Sequence, residues 1–183
     1  MRSDATRNRE AILRATEELL ASRGAEHISL DRVAAAAGVG KGTLFRRFGS
    51  RTGLFQELLA ERASALAQAI ESPGSALGPG SPPEERLLAF LDELAELAQR
   101  NLALFAAHER ACAEDKYRDP TYLRWHAHVT ALIAQAGPGL DAEFAAHALL
   151  GSFDADLARH VMAEGGVARL KSSVRGLARA ILA

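Results

Sequence analysis

The stretch from Ser29 to Phe48 constrains the fold more tightly than any other part of this chain. Leu30, Val33, Ala34 and Ala37 recur at the spacing of a helix with one buried face. Ser29 supplies an N-cap hydroxyl, and Ile28 just outside it is placed to staple onto Val33. Gly38 ends this run, because a residue without a Cβ tolerates the left-handed conformation in which helices stop. Gly40 then opens a second short helix, predicted from Lys41 to about Phe48. Ala34 is small where the two helices would cross, and Val39 and Leu44 would lock the second onto the first. The expected geometry is a helix-turn-helix.

The second helix would present Lys41, Gly42, Thr43, Phe45 and Arg46 outward. Small and polar residues at that position let a backbone approach the DNA major groove, while Arg and Lys supply phosphate and guanine contacts. From residue 38 to residue 51 the chain carries Lys41, Arg46, Arg47 and Arg51 and no acid. The net charge of -1 conceals this polarity: residues 1–62 hold 11 basic and 8 acidic side chains, a net of +3, and residues 63–183 hold 11 and 15, a net of -4. Such a patch neutralises phosphates. A helical hairpin with a merely solvated basic edge is the alternative reading.

Helical periodicity continues elsewhere. Ala11, Ile12, Ala15, Leu19 and Leu20 predict a first helix from about Asn8 to Arg23, stopped by Gly24. Ser50 caps a longer one carrying Leu54, Phe55, Leu58, Leu59, Leu66 and Ile70. The prolines and glycines between Ser72 and Pro83 predict a loop. Ser81-Pro82-Pro83-Glu84 has the pattern of a capping box with proline in the first turn, ahead of a helix burying Leu87, Leu88, Leu91, Leu94 and Leu97. A further helix runs from near Asn101 towards Cys112. Asp119-Pro120 starts another, ended by Gly137-Pro138-Gly139. Asp141 caps one running to about Glu164, and Gly165-Gly166 separates it from a last helix ending near Leu182. With no strand alternation and no fixed-period repeat, the expected class is all-α with about nine helices: a three-helix headpiece over residues 1–50 and a helical bundle over 51–183.

Composition narrows the functional classes. At 48% hydrophobic and 25% charged residues, the chain reads as soluble and globular, with no apolar run near the roughly 20 residues of a membrane span. Its polar beginning, Met1-Arg2-Ser3-Asp4, lacks the apolar core of a secretory signal, so a cytoplasmic address is expected. Cys112 is the single cysteine; it excludes an intrachain disulfide and reads as a small buried hydrophobe. His126 and His128, two apart on a helix, point to different faces and make a poor metal pair. No metal or cofactor is expected. No glycine-rich phosphate loop, nucleophile elbow or paired-carboxylate pattern points to an enzyme.

The string Ile12-Leu13-Arg14-Ala15-Thr16-Glu17-Glu18-Leu19-Leu20 with Gly24, Val33-Ala34 with Ala37-Gly38-Val39, Gly42-Thr43-Leu44-Phe45-Arg46-Arg47-Phe48, and Ser50-Arg51 with Leu54-Phe55 resembles the TetR family of bacterial regulators. The resemblance covers about Glu10 to Glu61. It implies operator DNA as a partner, bound through Ser29, Lys41, Gly42, Thr43, Phe45, Arg46, Arg47 and Arg51. Three positions depart from the usual pattern. Phe45 stands where the family has a tyrosine whose hydroxyl bonds a phosphate, leaving packing or contact with a thymine methyl. Arg51 replaces a lysine and keeps the charge. Ser29 replaces a threonine and keeps the cap.

The resemblance further implies a bundle enclosing an effector pocket and a homodimer formed by the last two helices. Phe90, Leu94, Phe105, His108, Cys112, Trp125, His126, Val129 and Phe153 are the pocket candidates, and their apolar majority suggests a hydrophobic or aromatic effector; for each singly, core packing is the plainer reading. Leu149, Phe153, Leu157, Val174, Leu177 and Ile181 are the dimer candidates, with packing inside one subunit able to explain the same pattern. A two-fold dimer matches a two-fold operator. The expected mechanism is repression relieved by effector binding, with the Leu54–Ile70 helix as lever. A DNA-binding regulator without an effector, architectural or partner-controlled, is the alternative.

Overall fold

A computed structural model describes residues 4–24, 27–112, 116–137, 139 and 141–183. Among these residues there are ten α-helices and a short 3-10 turn at Lys116–Arg118, and no strand. Met1, Arg2, Ser3 and Pro138, invoked above for the chain start and a helix stop, lie outside the described residues. The chain forms two compact units, one of residues 1–61 with 103–114 and the other of residues 62–102 with 115–183. No described helix is long and apolar enough to cross a membrane.

The first unit holds α1 (Asp4–Arg23), α2 (Leu30–Ala37), α3 (Lys41–Phe48), α4 (Arg51–Arg62) and nearly all of α7 (Leu102–Ala111). Its core is built from Ile12, Leu13, Val33, Leu44, Leu54, Phe55 and Leu58, each at most 4% exposed. Each such side chain contributes about 1.5–3 kcal/mol relative to leaving it in water. The Thr52 hydroxyl donates to the Ala111 carbonyl and fastens α7 to the start of α4. Cys112 is buried, as its reading as a small hydrophobe expected, with its sulfur 3.5 Å from His108 Nε2.

The second unit holds α5 (Ser64–Glu71), α6 (Pro83–Arg100), α8 (Pro120–Ala136), α9 (Ala142–Gly151) and α10 (Ala155–Leu182). α6 lies at its centre, packed against α5, α8 and α10. Two ion pairs tie α10 to α6: Lys171 to Glu96 at 2.6 Å and Arg175 to Asp92 at 2.5 Å. The proline- and glycine-rich loop before α6 is folded on itself. Leu77 is buried, its carbonyl accepts from Arg86 Nε, and Gly78 has Ser72 O where a Cβ would stand.

Several boundaries differ from the sequence reading. α6 starts at Pro83 with Pro82 in the cap position and no side-chain cap bond, so Ser81 sits one residue too early to cap it. The helix expected over Leu54–Ile70 is interrupted at Ala63, whose ψ of -3° departs from helical geometry and restarts the chain as α5. The helix expected from Asp141 to Glu164 stops at Gly151, and α10 begins after Asp154. Gly165 and Gly166 do break the last stretch, with φ of -163° and 65°, so α10 is two helical segments joined by a kink. Asp119 and Asp141 cap as expected, accepting from the amides of Thr121 and Tyr122 and of Phe144.

Candidate nucleic-acid interface

The turn between α2 and α3 follows from four residues. Ser29 Oγ accepts from the Arg32 amide at 3.3 Å. Gly38 takes φ 67° and ψ 28°, and its N–H closes α2 on Ala34 and Ala35, while the Val39 amide reaches Ala34 O at 3.0 Å. Gly40 then starts α3 with extended backbone. Leu44 and Phe48 point inward, at 0% and 8% exposure, and this fixes which face of α3 meets solvent.

That outer face carries the expected residues. Lys41, Gly42, Phe45, Arg46 and Arg47 are exposed, Thr43 is half-buried, and Arg51 is exposed at the start of α4. Phe45 is 59% exposed, unusual for a large apolar ring in water. No carboxylate lies on α3 itself. Acids on neighbouring helices do reach two of its cations: Asp31 of α2 pairs with Lys41 at 2.8 Å, and Glu57 of α4 stands 3.8 Å from Arg47. Glu57 is also held by Arg9 at 2.7 Å, and Arg9 bridges on to Glu61 at 2.9 Å, so α1 is fastened to α4. This paired environment raises the Arg9 pKa, chiefly through the Glu57 hydrogen bond. Arg51 lies over the Phe55 ring at 5.9 Å and donates at the limit of hydrogen-bond length to Ile28 O.

One determinant was not singled out from the sequence. Gly53, in the first turn of α4, has Phe48 O at 2.1 Å from where a Cβ would stand. Its amide donates to Ser50 Oγ at 3.0 Å. The end of α3 is thereby seated directly on the start of α4. A glycine in an otherwise helical stretch was the available signal.

The pocket candidates fall into both units. Phe105, His108 and Cys112 are buried in the first; Phe90, Leu94, Trp125, Val129 and Phe153 are buried in the second. His126 is half-buried against α9, its Nε2 3.1 Å from Glu143 O. Among the dimer candidates, Leu149, Phe153 and Val174 are buried within their own chain, Ile181 is half-buried, and Leu157 and Leu177 are 47% and 42% exposed. Phe144 of α9, not singled out from the sequence, is 71% exposed. It stands out of phase with the buried Ala145, Ala146, Leu149 and Leu150 of the same helix.

These features define an all-α protein with a helix-turn-helix unit and a separate helical bundle. Residues 12–58 match the model for bacterial regulatory proteins of the tetR family. An HTH-type transcriptional regulator of Staphylococcus aureus (strain USA300) is 41% identical over 54 residues, 30% of this chain and 29% of that protein. The aligned segment thus spans less than a third of the curated relatives' length. A TetR-like transcriptional regulator from Rhodococcus sp. RHA1 shares the fold with a TM-score of 0.68 at 22% identity, over 98% of this chain and 97% of that one. The transcriptional regulator FadR from Bacillus subtilis, solved in complex with stearoyl-CoA, does so with a TM-score of 0.71 at 18% identity, over 92% and 96%. Residues 12–58 are thus similar to the DNA-binding part of tetR-family regulators, and the fold of the whole chain is shared with TetR-like proteins.

Proposed function

We propose that the protein is a homodimeric transcriptional repressor that grips a two-fold operator through paired α3 helices and is released by a small apolar or aromatic effector. The observation that carries the DNA-binding part is the outer face of α3. Burial of Leu44 and Phe48 turns Lys41, Gly42, Phe45, Arg46 and Arg47 outward together, on a helix without a carboxylate. Gly42 has open space where a Cβ would stand, so the backbone itself can approach a groove. Lys41, Arg46 and Arg47 serve phosphates and guanines, and Phe45 offers its ring to an apolar base edge. One short helix reads few base pairs, which is why the reading requires two copies. Exposed Leu157, Leu177 and Phe144 supply apolar surface for that pairing.

Effector control rests on the apolar interior of the bundle and on the fold shared with a regulator solved with stearoyl-CoA. An effector acts by favouring a conformation in which the two recognition helices no longer match one face of the duplex. One observation favours the second reading, a regulator without an effector: Phe90, Leu94 and Val129 are each 0% exposed and fill the bundle interior themselves.

A binding titration by fluorescence anisotropy, using DNA from upstream of the gene and a scrambled duplex at several salt concentrations, tests the proposal. A preference for the upstream duplex that persists as salt rises supports it. Equal affinity for both, vanishing with modest salt, reduces the protein to a polyanion binder. A thermal-shift screen of acyl and aromatic compounds separates the two readings, since a ligand of the folded state raises the melting temperature.

A further inference from the structure

Four aromatic side chains of the second unit gather where α8 meets α9, and none of them belongs to the DNA-facing surface. The rings of His126 and His147 lie 4.0 Å apart between centroids. Tyr122 stacks on both, at 6.0 Å and 5.9 Å, and Tyr117 approaches Tyr122 and His147 edge-on. Each imidazole is held by one nitrogen. His126 Nε2–H donates to the Glu143 backbone carbonyl at 3.1 Å; a carbonyl only accepts, so in the neutral ring the lone pair is on Nδ1. His147 Nδ1 is 2.5 Å from the Tyr122 hydroxyl, which leaves its Nε2.

We propose that His126 Nδ1 and His147 Nε2 form a two-histidine surface site for a divalent transition-metal ion of the zinc, nickel or copper class, with water completing the coordination. Neutral imidazole suits these ions, and metal-binding histidines characteristically give their second nitrogen to a carbonyl or hydroxyl that fixes the ring. Both backing groups are already in place here. Zn–N bonds of about 2.0–2.1 Å require the two rings to turn out of their present stack so that both lone pairs meet at one point, and both side chains reach solvent. With metal on Nε2, His147 donates from Nδ1–H to the Tyr122 oxygen, which makes Tyr122 a positioning residue. The ion would clamp α8 to α9. The sequence concealed this pairing because His126 and His147 lie on different helices at no recognised ligand spacing. The site stands or falls independently of the regulator reading.

Zinc titration of the full chain by isothermal calorimetry tests the proposal, in a Cys112→Ser background so that the thiol does not compete. The expected result is one zinc per chain. His126→Ala or His147→Ala should abolish it, and Tyr122→Phe should weaken it by about tenfold or more. His160→Ala, an exposed histidine elsewhere on α10, should leave it unchanged. Zinc should also raise the melting temperature of the parent and not of His147→Ala. Absence of binding in the Cys112→Ser protein, or binding of equal strength after both histidines are replaced, overturns the proposal. Unaltered affinity in Tyr122→Phe removes the tyrosine from it.

Discussion

Replacing Gly53 by alanine separates helix propensity from tertiary packing, because the two predict opposite signs. Gly53 lies in the first turn of α4, where an Ala in place of Gly ordinarily stabilises a helix by about 1 kcal/mol. The added Cβ, however, would fall 2.1 Å from the Phe48 carbonyl oxygen, an unyielding backbone atom. Relieving that overlap moves the end of α3 against α4 by about 1 Å, and overpacking of this kind costs about 1–3 kcal/mol, more where backbone must shift. A net loss of about 2 kcal/mol lowers the melting temperature by about 4–8 °C in a chain of this length. Thermal unfolding followed by far-ultraviolet circular dichroism measures it, with Gly42→Ala as comparator. A Cβ at Gly42 meets nothing within 4 Å, so that variant should melt as high as the parent or higher while binding DNA less well. A Gly53→Ala protein melting at or above the parent would refute the reasoning.

Four further outcomes follow from named contacts. Arg46→Ala should weaken binding to all duplexes and, where it meets a phosphate, reduce the slope of log affinity against log salt by about one. Asp31→Asn, which frees Lys41 and removes an anion from beside the DNA face, should tighten binding at low salt; equal affinities would show that the pair does not compete with phosphate. His128, packed edge-on against Phe90, has its pKa lowered from 6.5 to about 4, first by burial and then by Arg86. The unfolded chain takes up that proton more readily, so stability should be full above about pH 6.5 and drain as pH falls towards 4. The slope of melting temperature between pH 7 and pH 5 should be shallower in His128→Phe, and identical slopes would contradict this. Leu157→Glu combined with Leu177→Glu should yield a monomer by analytical ultracentrifugation if those exposed residues join two copies.

The headpiece was readable because each of its helices is local in origin. Ser29, Gly38, Gly40 and Ser50 announce helix ends through cap chemistry, and the spacing of Val33, Leu44 and Phe48 announces the buried face. What periodicity could not show is what neighbouring helices place against that face. The Asp31–Lys41 pair, the Arg9–Glu57–Glu61 bridge and the carbonyl against Gly53 all join residues whose proximity depends on the tertiary arrangement. The same limit explains the boundaries that moved. Gly151 and Ala63 interrupt runs whose apolar pattern continues, and Ser81 resembles a cap one residue before the proline that occupies the position. In the body, apolar residues at helical spacing mark burial alike whether they face a cavity, a core or a second copy. Exposure distinguishes Leu157 and Leu177 from Leu149 and Val174, and no pattern in the sequence does.

Hydroxyl-radical footprinting on a duplex selected from a random pool tests the paired-recognition-helix claim most directly. The account predicts two protected patches on one face of the DNA, separated by one helical turn of about 34 Å or a multiple of it, and their loss when Lys41, Arg46 and Arg47 are replaced together. A single unbroken patch, or protection that survives that triple replacement, would contradict it.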